Sequence, residues 1–449
     1  MTNAQSFRDE LSAHFLPATS VTNTPIARLD GGPVTSRNSM RLDFSERRFS
    51  YPLIAVAVVL PLLYKVYWPA GNGIDVAGYQ IGRDFINLWA GPQLAYSGKL
   101  WTLFDIQAYW DEVGRLFGQA LPLHSWCYPL FTLTLFWPLA QLPYFWALAI
   151  WTISTFAAFA AVAVAQVAPG RRRVALVILM LAPASFMNVL GGQNGFLSAA
   201  LLMGGMLALD RRPVMAGVLF GLLTFKPHLG LVLPFVLIAL GAWRTIATAV
   251  ATAVALVAVS VLQFGIEPWH KYMTVTTGLQ VAWLTSFDGF FTYMMISVAT
   301  AMRTLGFSLH AALAVQAAVA AVVLPVAVVA IARTDDACRR IFVLTTATLL
   351  VTPYAFNYDM TALSVAIVWT LVGRLEWRPA WSTVYLLGWI APLATIFMSN
   401  VGIPMTPFIV AALFVLAVRE ALDGQPLLPL WVRNSIEMVR RSTALPLAR

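Results

Sequence analysis

From about residue 50 to residue 420 the chain runs through one apolar stretch after another, broken by one long loop and by short polar islands. A chain of this kind must hydrogen-bond its own backbone, because hydrocarbon cannot do it, and helices achieve this segment by segment. Hydrophobic residues make up 59% of the sequence and charged residues 11%, where soluble domains carry about 25% charged residues. The sequence therefore predicts an all-α polytopic integral membrane protein with about ten to twelve transmembrane helices, several of them short. One membrane domain is expected over residues 49–420. A disordered polar cytosolic tail, 1–48, precedes it and a basic cytosolic tail, 421–449, follows.

The net charge of +9 is accounted for by the positive-inside rule, so it calls for no nucleic-acid partner. Arg47-Arg48, Arg171 to Arg173, Arg211-Arg212, Arg244, Arg333 with Arg339-Arg340, and Arg374 with Arg378 all fall between apolar runs. Placing them in the cytosol leaves Lys65, Arg83, Lys99, Arg115, Lys226, Lys271 and Arg303 outside. All other members of the 29 Lys and Arg are then inside. Residues 126–168 fit either two spans or one span plus a re-entrant piece, with a break at Gln141-Leu142-Pro143. Cys127 and Cys338 lie on opposite sides in this arrangement, so neither a disulfide nor a metal cluster is expected. The first forty-five or so residues contain no apolar run of signal-peptide type.

The first span covers about Ser50 to Trp68, and a long outer loop follows over 69–125. Within the loop, Arg83 to Tyr96 and Phe104 to Phe117 have helical apolar periodicity with Trp and Tyr, as helices lying in the membrane interface do. A long loop with helices of its own is usually functional. Val214–Phe225 and Ile341–Val351 are too short to cross alone, since a span needs about 20 residues. Segments of that length end in protein-lined or wet cavities.

Four islands carry the polar chemistry. Lys226-Pro227-His228 interrupts an apolar run, and an ionisable group at membrane depth costs roughly 2.5–3.5 kcal/mol on insertion scales. Cations there suit a phosphate, although a lysine also snorkels to water without any function. Gly191-Gly-Gln-Asn-Gly195 is either a ligand-approachable turn holding Gln193 and Asn194 or an ordinary interhelical turn. Thr352 to Asp359 brings Asn357, Tyr358 and Asp359, and Lys226 is a candidate partner for that carboxylate. Asp84 is either a general base at the membrane surface or a helix N-terminal residue. Arg83 beside it binds an anion or pairs with Asp84. His270, Lys271 and Asp288 share a second outer loop with aromatics of interfacial type, and His124 and His310 carry little signal. No metal-ligand spacing, Walker loop or nucleophile elbow is present, so no metal or cofactor is expected.

In this order the islands resemble glycosyltransferase family 87, the polyprenol-phosphate-mannose-dependent mannosyltransferases of the GT-C fold. The matching pieces are Gly82-Arg-Asp-Phe85 with Tyr96-Ser-Gly98 and Leu103-Phe-Asp105, then Tyr128-Pro-Leu-Phe131 with Pro138-Leu-Ala140. Gly192-Gln-Asn194, Ala216-Gly217 with Lys226-Pro227, and Thr352-Pro-Tyr354 with Tyr358-Asp359 complete the set. The resemblance implies a GT-C-type helical bundle in the inner (plasma) membrane with its active site facing the periplasm or exterior. It also implies a catalytic aspartate in the first outer loop, matched here by Asp84. Relatives often carry a histidine in the segment matching Tyr354–Asp359, and this chain has none there.

The expected activity is inverting transfer of a hexose, mannose first, from a polyprenyl-phosphate sugar to a glycolipid or glycan. Asp84 would act as the base. Lys226, His228 and Arg83 would hold the donor phosphate, and Gln193, Asn194, Asn357, Tyr358 and Asp359 would contact sugar or acceptor. Arabinofuranose is a second candidate sugar. A transporter or flippase of lipid-linked sugar is the rival reading, since polar islands at membrane depth suit translocation as well.

Overall fold

Proline and glycine decide where the helices stop, and the stops decide the architecture. The computed structural model describes residues 67–122, 124–287 and 289–423, together with Ala57 and Pro61. The tail 1–48, nearly all of the expected first span, Asp288 and the C-terminal tail from residue 424 lie outside the described residues. All the structure below belongs to the unit Phe44–Arg449.

The described chain opens with a two-stranded hairpin, β1 (Pro69–Gly71) and β2 (Ile74–Asp75), its turn built on Asn72 and Gly73 at positive φ. Two helices follow within the outer loop, α1 (Phe85–Leu94) and α2 (Ile106–Phe117). α2 has the one-sided character expected of it. Asp105 caps its N-terminus by accepting from the backbone of Gln107 and Ala108, and Tyr109 and Val113 face inward. α1 departs from the interfacial expectation, because all its residues except Gln93 are buried. Trp89 Nε1 donates to the Leu142 carbonyl and Gln93 Nε2 to the Ala140 carbonyl, each at 2.9 Å. Trp126 lies so close to Gly91 that a Cβ there would sit 2.2 Å from its ring. The apolar face read from sequence is real, but the opposite face is covered by protein instead of headgroups.

Residues 126–168 resolve into a ten-residue helix, α3 (Phe131–Ala140), and one full-length helix, α4 (Tyr144–Ala165), separated at Gln141 to Pro143. Of the two arrangements open from sequence, one complete span plus a short piece is adopted. α5 (Arg172–Met180) and α6 (Pro183–Leu190) form a pair bent by 55°. The bend falls at Ala182, which is extended (ψ 134°) as the residue before a proline must usually be. Next come α7 (Gly195–Ala208), α8 (Pro213–Leu222), α9 (Leu233–Ala239) and the long α10 (Trp243–Phe264). The second outer loop holds α11 (Glu267–Lys271) and α12 (Thr277–Ser286), and α13 (Val298–Thr304) follows. The chain ends with α14 (Leu309–Ala332), α15 (Ala337–Val351), α16 (Thr361–Leu371), α17 (Ser382–Asn400) and α18 (Thr406–Leu422).

Among the described residues four helices are long and apolar enough to cross a membrane, or five if the bent pair counts as one span. They are α4, α10, α14 and α17 with its leading turn, of 22 to 24 residues. At 1.5 Å per residue each reaches about 33 Å or more, matching the hydrocarbon core of roughly 30 Å. The expected ten to twelve spans are thus not ten to twelve long helices, because much of the remaining apolar sequence is divided into shorter ones.

The long helices are largely exposed, and the most fully buried helices are short ones. Only 11% of the most apolar part of α10 is buried, so it faces lipid. Every residue of α16 is buried, as are nearly all of α7 and α15. α10 is held to the bundle through α8. A Cβ on Gly217 would lie 2.6 Å from the Thr245 carbonyl, and one on Gly221 would lie 2.5 Å from Thr252. The Gly-x-x-x-Gly spacing lets the two backbones approach, which is how helices associate without a hydrophobic driving force. Where α15 ends before Thr352-Pro353, Gln316 of α14 donates to the carbonyls of Leu350 and Val351 at 2.7 and 3.1 Å. It thereby satisfies helix-end acceptors that have no intrahelical partner.

At the other end of α15, Asp336 caps the helix by accepting from Cys338 and Arg339, and pairs with Arg374 at 2.9 Å. Asp336→Ala should lower stability by about 1 kcal/mol through the lost cap. Thermal unfolding of the detergent-solubilised protein would read this as a lower midpoint, and an unchanged midpoint would count against the capping role.

Candidate active site

Three loops from distant parts of the sequence meet at one cavity of about 690 Å³, a size typical of small-molecule sites. The first is the turn from Gly82 to Asp84. Gly82 has φ +87° and Arg83 has φ +34°, a strained value for a residue with a side chain. The strain is held by the Arg83 side chain. Its Nε and Nη2 donate to Asp75 Oδ2 at 2.9 and 2.7 Å, and its guanidinium lies 4.0 Å from the Tyr67 ring and 4.6 Å from that of Tyr79. Asp75 in turn accepts from the backbone of Ala77 and Tyr79. Arg83 thus pairs with Asp75, a partner not considered from sequence.

The second loop, Gly191 to Gly195, fixes Asp84. Asp84 N donates to the Gly191 carbonyl at 3.2 Å, and Gln193 Nε2 donates to Asp84 Oδ2 at 2.5 Å. Gly192, at φ +56°, lets the backbones touch: a Cβ there would stand 2.3 Å from the Gly82 carbonyl oxygen. Gly195 does the same on the other side, where a Cβ would stand 2.3 Å from the Tyr358 carbonyl. The glycines are therefore there for close approach on two sides, beyond making a turn.

The third region joins the Lys226 break to the Tyr354–Asp359 segment. After α8 and a short 3₁₀ turn, Lys226 leaves helical geometry (φ −130°, ψ 71°), as the residue preceding Pro227 is biased to do. Its buried Nζ donates to Asp359 Oδ1 and lies 4.4 Å from the centre of the Tyr358 ring. Asp359 Oδ2 accepts from the Phe356 backbone at 3.0 Å. His228 Nε2 stands 3.8 Å from that same oxygen, with the ring edge-on to Tyr354 at 5.9 Å.

Asp84, Arg83, Gln193, Lys226, His228 and Tyr358 all line the cavity. Asn194, Asn357 and Asp359 are buried behind the lining. Asn194 Nδ2 donates to the Tyr128 hydroxyl at 3.0 Å, and Asn357 Nδ2 donates to the Pro392 carbonyl at 2.6 Å. Both of these contacts are with protein. His270, Lys271 and His310 are exposed and outside the lining. His124 is the residue that sequence reasoning passed over. It is 6% exposed and lines the cavity. Burial pushes its imidazole below the usual range, against a smaller opposing pull from the Asp84 charge. Its signal was contextual only, a polar residue next to an aromatic cluster at the end of the outer loop. Among the described residues no three His, Cys, Asp or Glu side chains gather in a way that would hold a metal ion.

A cavity of mixed apolar and polar lining between the helices of a polytopic membrane protein, with a carboxylate held by one loop and a lysine by another, suits a substrate that has both apolar and polar parts. The chain belongs to glycosyltransferase family 87, whose family model matches residues 126–353, just over half its length. It is accordingly a membrane glycosyltransferase with a sugar donor and an acceptor. The matched region holds the Gly191–Gly195 loop and the Lys226 break, and Asp84 lies ahead of it. No curated protein and no solved structure matches the chain.

Breaking a buried ion pair leaves an uncompensated charge, at about 3–5 kcal/mol. Lys226→Met and Asp359→Asn should each destabilise on that scale, whereas the double variant should recover most of the loss. Additive losses in thermal unfolding would show that the two residues are not coupled. Gly192→Ala should also lower the folded yield, since its Cβ would meet the Gly82 backbone at a positive φ.

Proposed function

We propose that the protein transfers a hexose, mannose first, from a polyprenyl-phosphate sugar to a hydroxyl of a glycolipid or glycan, with inversion at the anomeric carbon. The observation that carries this is the shared cavity. A carboxylate with one oxygen committed to Gln193 and a buried lysine line the same space. Asp84 takes the proton of the acceptor hydroxyl as that oxygen bonds to the anomeric carbon. The bond from that carbon to the phosphate oxygen breaks, and polyprenyl phosphate leaves with the electron pair. Lys226 is the counter-charge for the leaving phosphate, fixed in advance by Asp359 and Tyr358. Preorganised charge of this kind costs no reorganisation during the reaction. A phosphate is a good leaving group once its charge is held, so a second carboxylate acting as general acid is unnecessary, unlike glycoside hydrolysis.

The neighbouring side chains divide by contact. His228 lines the cavity, and among the described residues its Nε2 has no hydrogen-bond partner, so its ring borders the donor headgroup. Arg83, matched by Asp75, holds the strained turn and lends its charge to the site at one remove. Gln193 orients Asp84. Asn194, Asn357 and Asp359 act through Tyr128, Tyr358 and Lys226, and Tyr358 meets the sugar directly. The GT-C bundle, the inner membrane and an active site facing the periplasm or exterior belong to the same proposal. The concentration of Arg on the opposite set of loops supports it.

Purified protein in vesicles, given polyprenyl-phosphate mannose and a membrane lipid extract, should form a mannosylated product. Asp84→Asn, folded by size-exclusion profile, should lower the rate by about 10²–10⁴-fold, the range for a lost general base. Full activity in that variant would remove Asp84 from the mechanism. Movement of the lipid-linked sugar across the bilayer without transfer would replace the proposal with a flippase.

A further inference from the structure

His124 lies in the cavity with Asp84, and its protonation is fixed by geometry. Its Nδ1 stands 2.6 Å from the Pro122 carbonyl oxygen. A carbonyl oxygen only accepts, so Nδ1 carries the proton, and in a neutral imidazole Nε2 is then a bare acceptor. Burial favours that neutral form. No hydrogen-bond partner for Nε2 is found among the described residues.

Asp84 stands in a complementary position. Gln193 occupies Oδ2, and Oδ1 has no side-chain donor among the described residues. The cavity thus presents two hydrogen-bond acceptors, a carboxylate oxygen and an imidazole nitrogen near enough to feel its charge, with no protein donor to either among the described residues. A bound substrate shields both atoms from water, and an acceptor shielded without a donor is costly, so their natural complement is a ligand with two donors. One hydroxyl is not enough, because it has one proton to give. A pyranoside with adjacent hydroxyls supplies both.

We propose that His124 is a specificity residue for the acceptor: its Nε2 accepts a hydrogen bond from the hydroxyl next to the one that attacks. The inference rests on the transferase reading and on Asp84 as the base. The attacking hydroxyl gives its proton to Asp84, and the neighbouring hydroxyl keeps its own and lends only a hydrogen bond. The substrate class follows. The acceptor is a hexopyranoside with a free hydroxyl beside the attacking one, and a simple alcohol or an isolated hydroxyl is a poor acceptor.

The test uses a panel of alkyl hexopyranosides and their monodeoxy derivatives, with the full-length protein in vesicles. His124→Asn is the informative variant, because its amide NH₂ can still donate to the Pro122 carbonyl while nothing replaces Nε2. His124→Ala serves as the comparison. In the wild type, removing the neighbouring hydroxyl should raise the acceptor KM by about tenfold, the value of one buried hydrogen bond near the upper end of its range. His124→Asn should show that same loss on the parent glycoside and no further loss on the deoxy compound. An equal loss on every derivative would mean that His124 is only structural, and the proposal would fall.

A second readout does not depend on turnover. In Asp84→Asn protein labelled with nitrogen-15 histidine, a binding glycoside should shift the His124 Nε2 resonance, and the deoxy compound should not. If wild type transfers sugar to no glycoside yet the resonance shifts, the transferase reading fails and the His124 contact stands. If no glycoside in the panel moves the resonance, the His124 proposal is overturned.

Discussion

The Gly191–Gly195 loop is the constraint on which the site depends. It is wedged between two backbones, with the Gly82 carbonyl on one side and the Tyr358 carbonyl on the other. A side chain at either contact would push apart the turn that bears Asp84 and the segment that bears Asp359. Three islands separated by more than a hundred residues each thus become one wall. The polar bonds add direction to that proximity. Gln193 reaches Asp84 from the loop, while Asp359 reaches Lys226 from the segment behind it. Sterics bring the groups together, and hydrogen bonds aim them.

The interior of the bundle shows why such a site sits on short helices. A helix that spans the bilayer can end only at its faces. A helix that stops early leaves backbone groups that need partners, and Gln316 supplies them for α15. Short helices therefore place polar loop residues inside the bundle, among long apolar helices. The buried α7, α15 and α16 and the lipid-facing α10 divide these two duties.

Much of this was legible in the sequence. The breaks at Pro143, Lys226-Pro227 and Thr352-Pro353 fall where proline forces them, because the local rule is strong. The membrane class followed from composition. The depth of α1 was not legible, since the residues that cover its second face, Trp126 among them, come from later in the chain. Pairings across long sequence separations were open in the same way. Lys226 with Asp359 was one candidate among several, and Arg83 with Asp75 was hidden because the strained turn at Gly82-Arg83 redirects the side chain. His124 carried no local pattern, and only the fold brings it to the cavity.

The strained Arg83 turn has a mechanical consequence. Asp84 is tied to the Gly191–Gly195 loop by its backbone and its side chain, and that loop abuts the segment anchoring Lys226. The carboxylate and the ammonium are thus mounted on a common frame, like the jaws of a fixed gauge. Under the proposed transfer, such a frame would favour substrates of one span between hydroxyl and phosphate. Discrimination would then be set by length before any group is recognised, and the moving parts of a turnover would be the lipids.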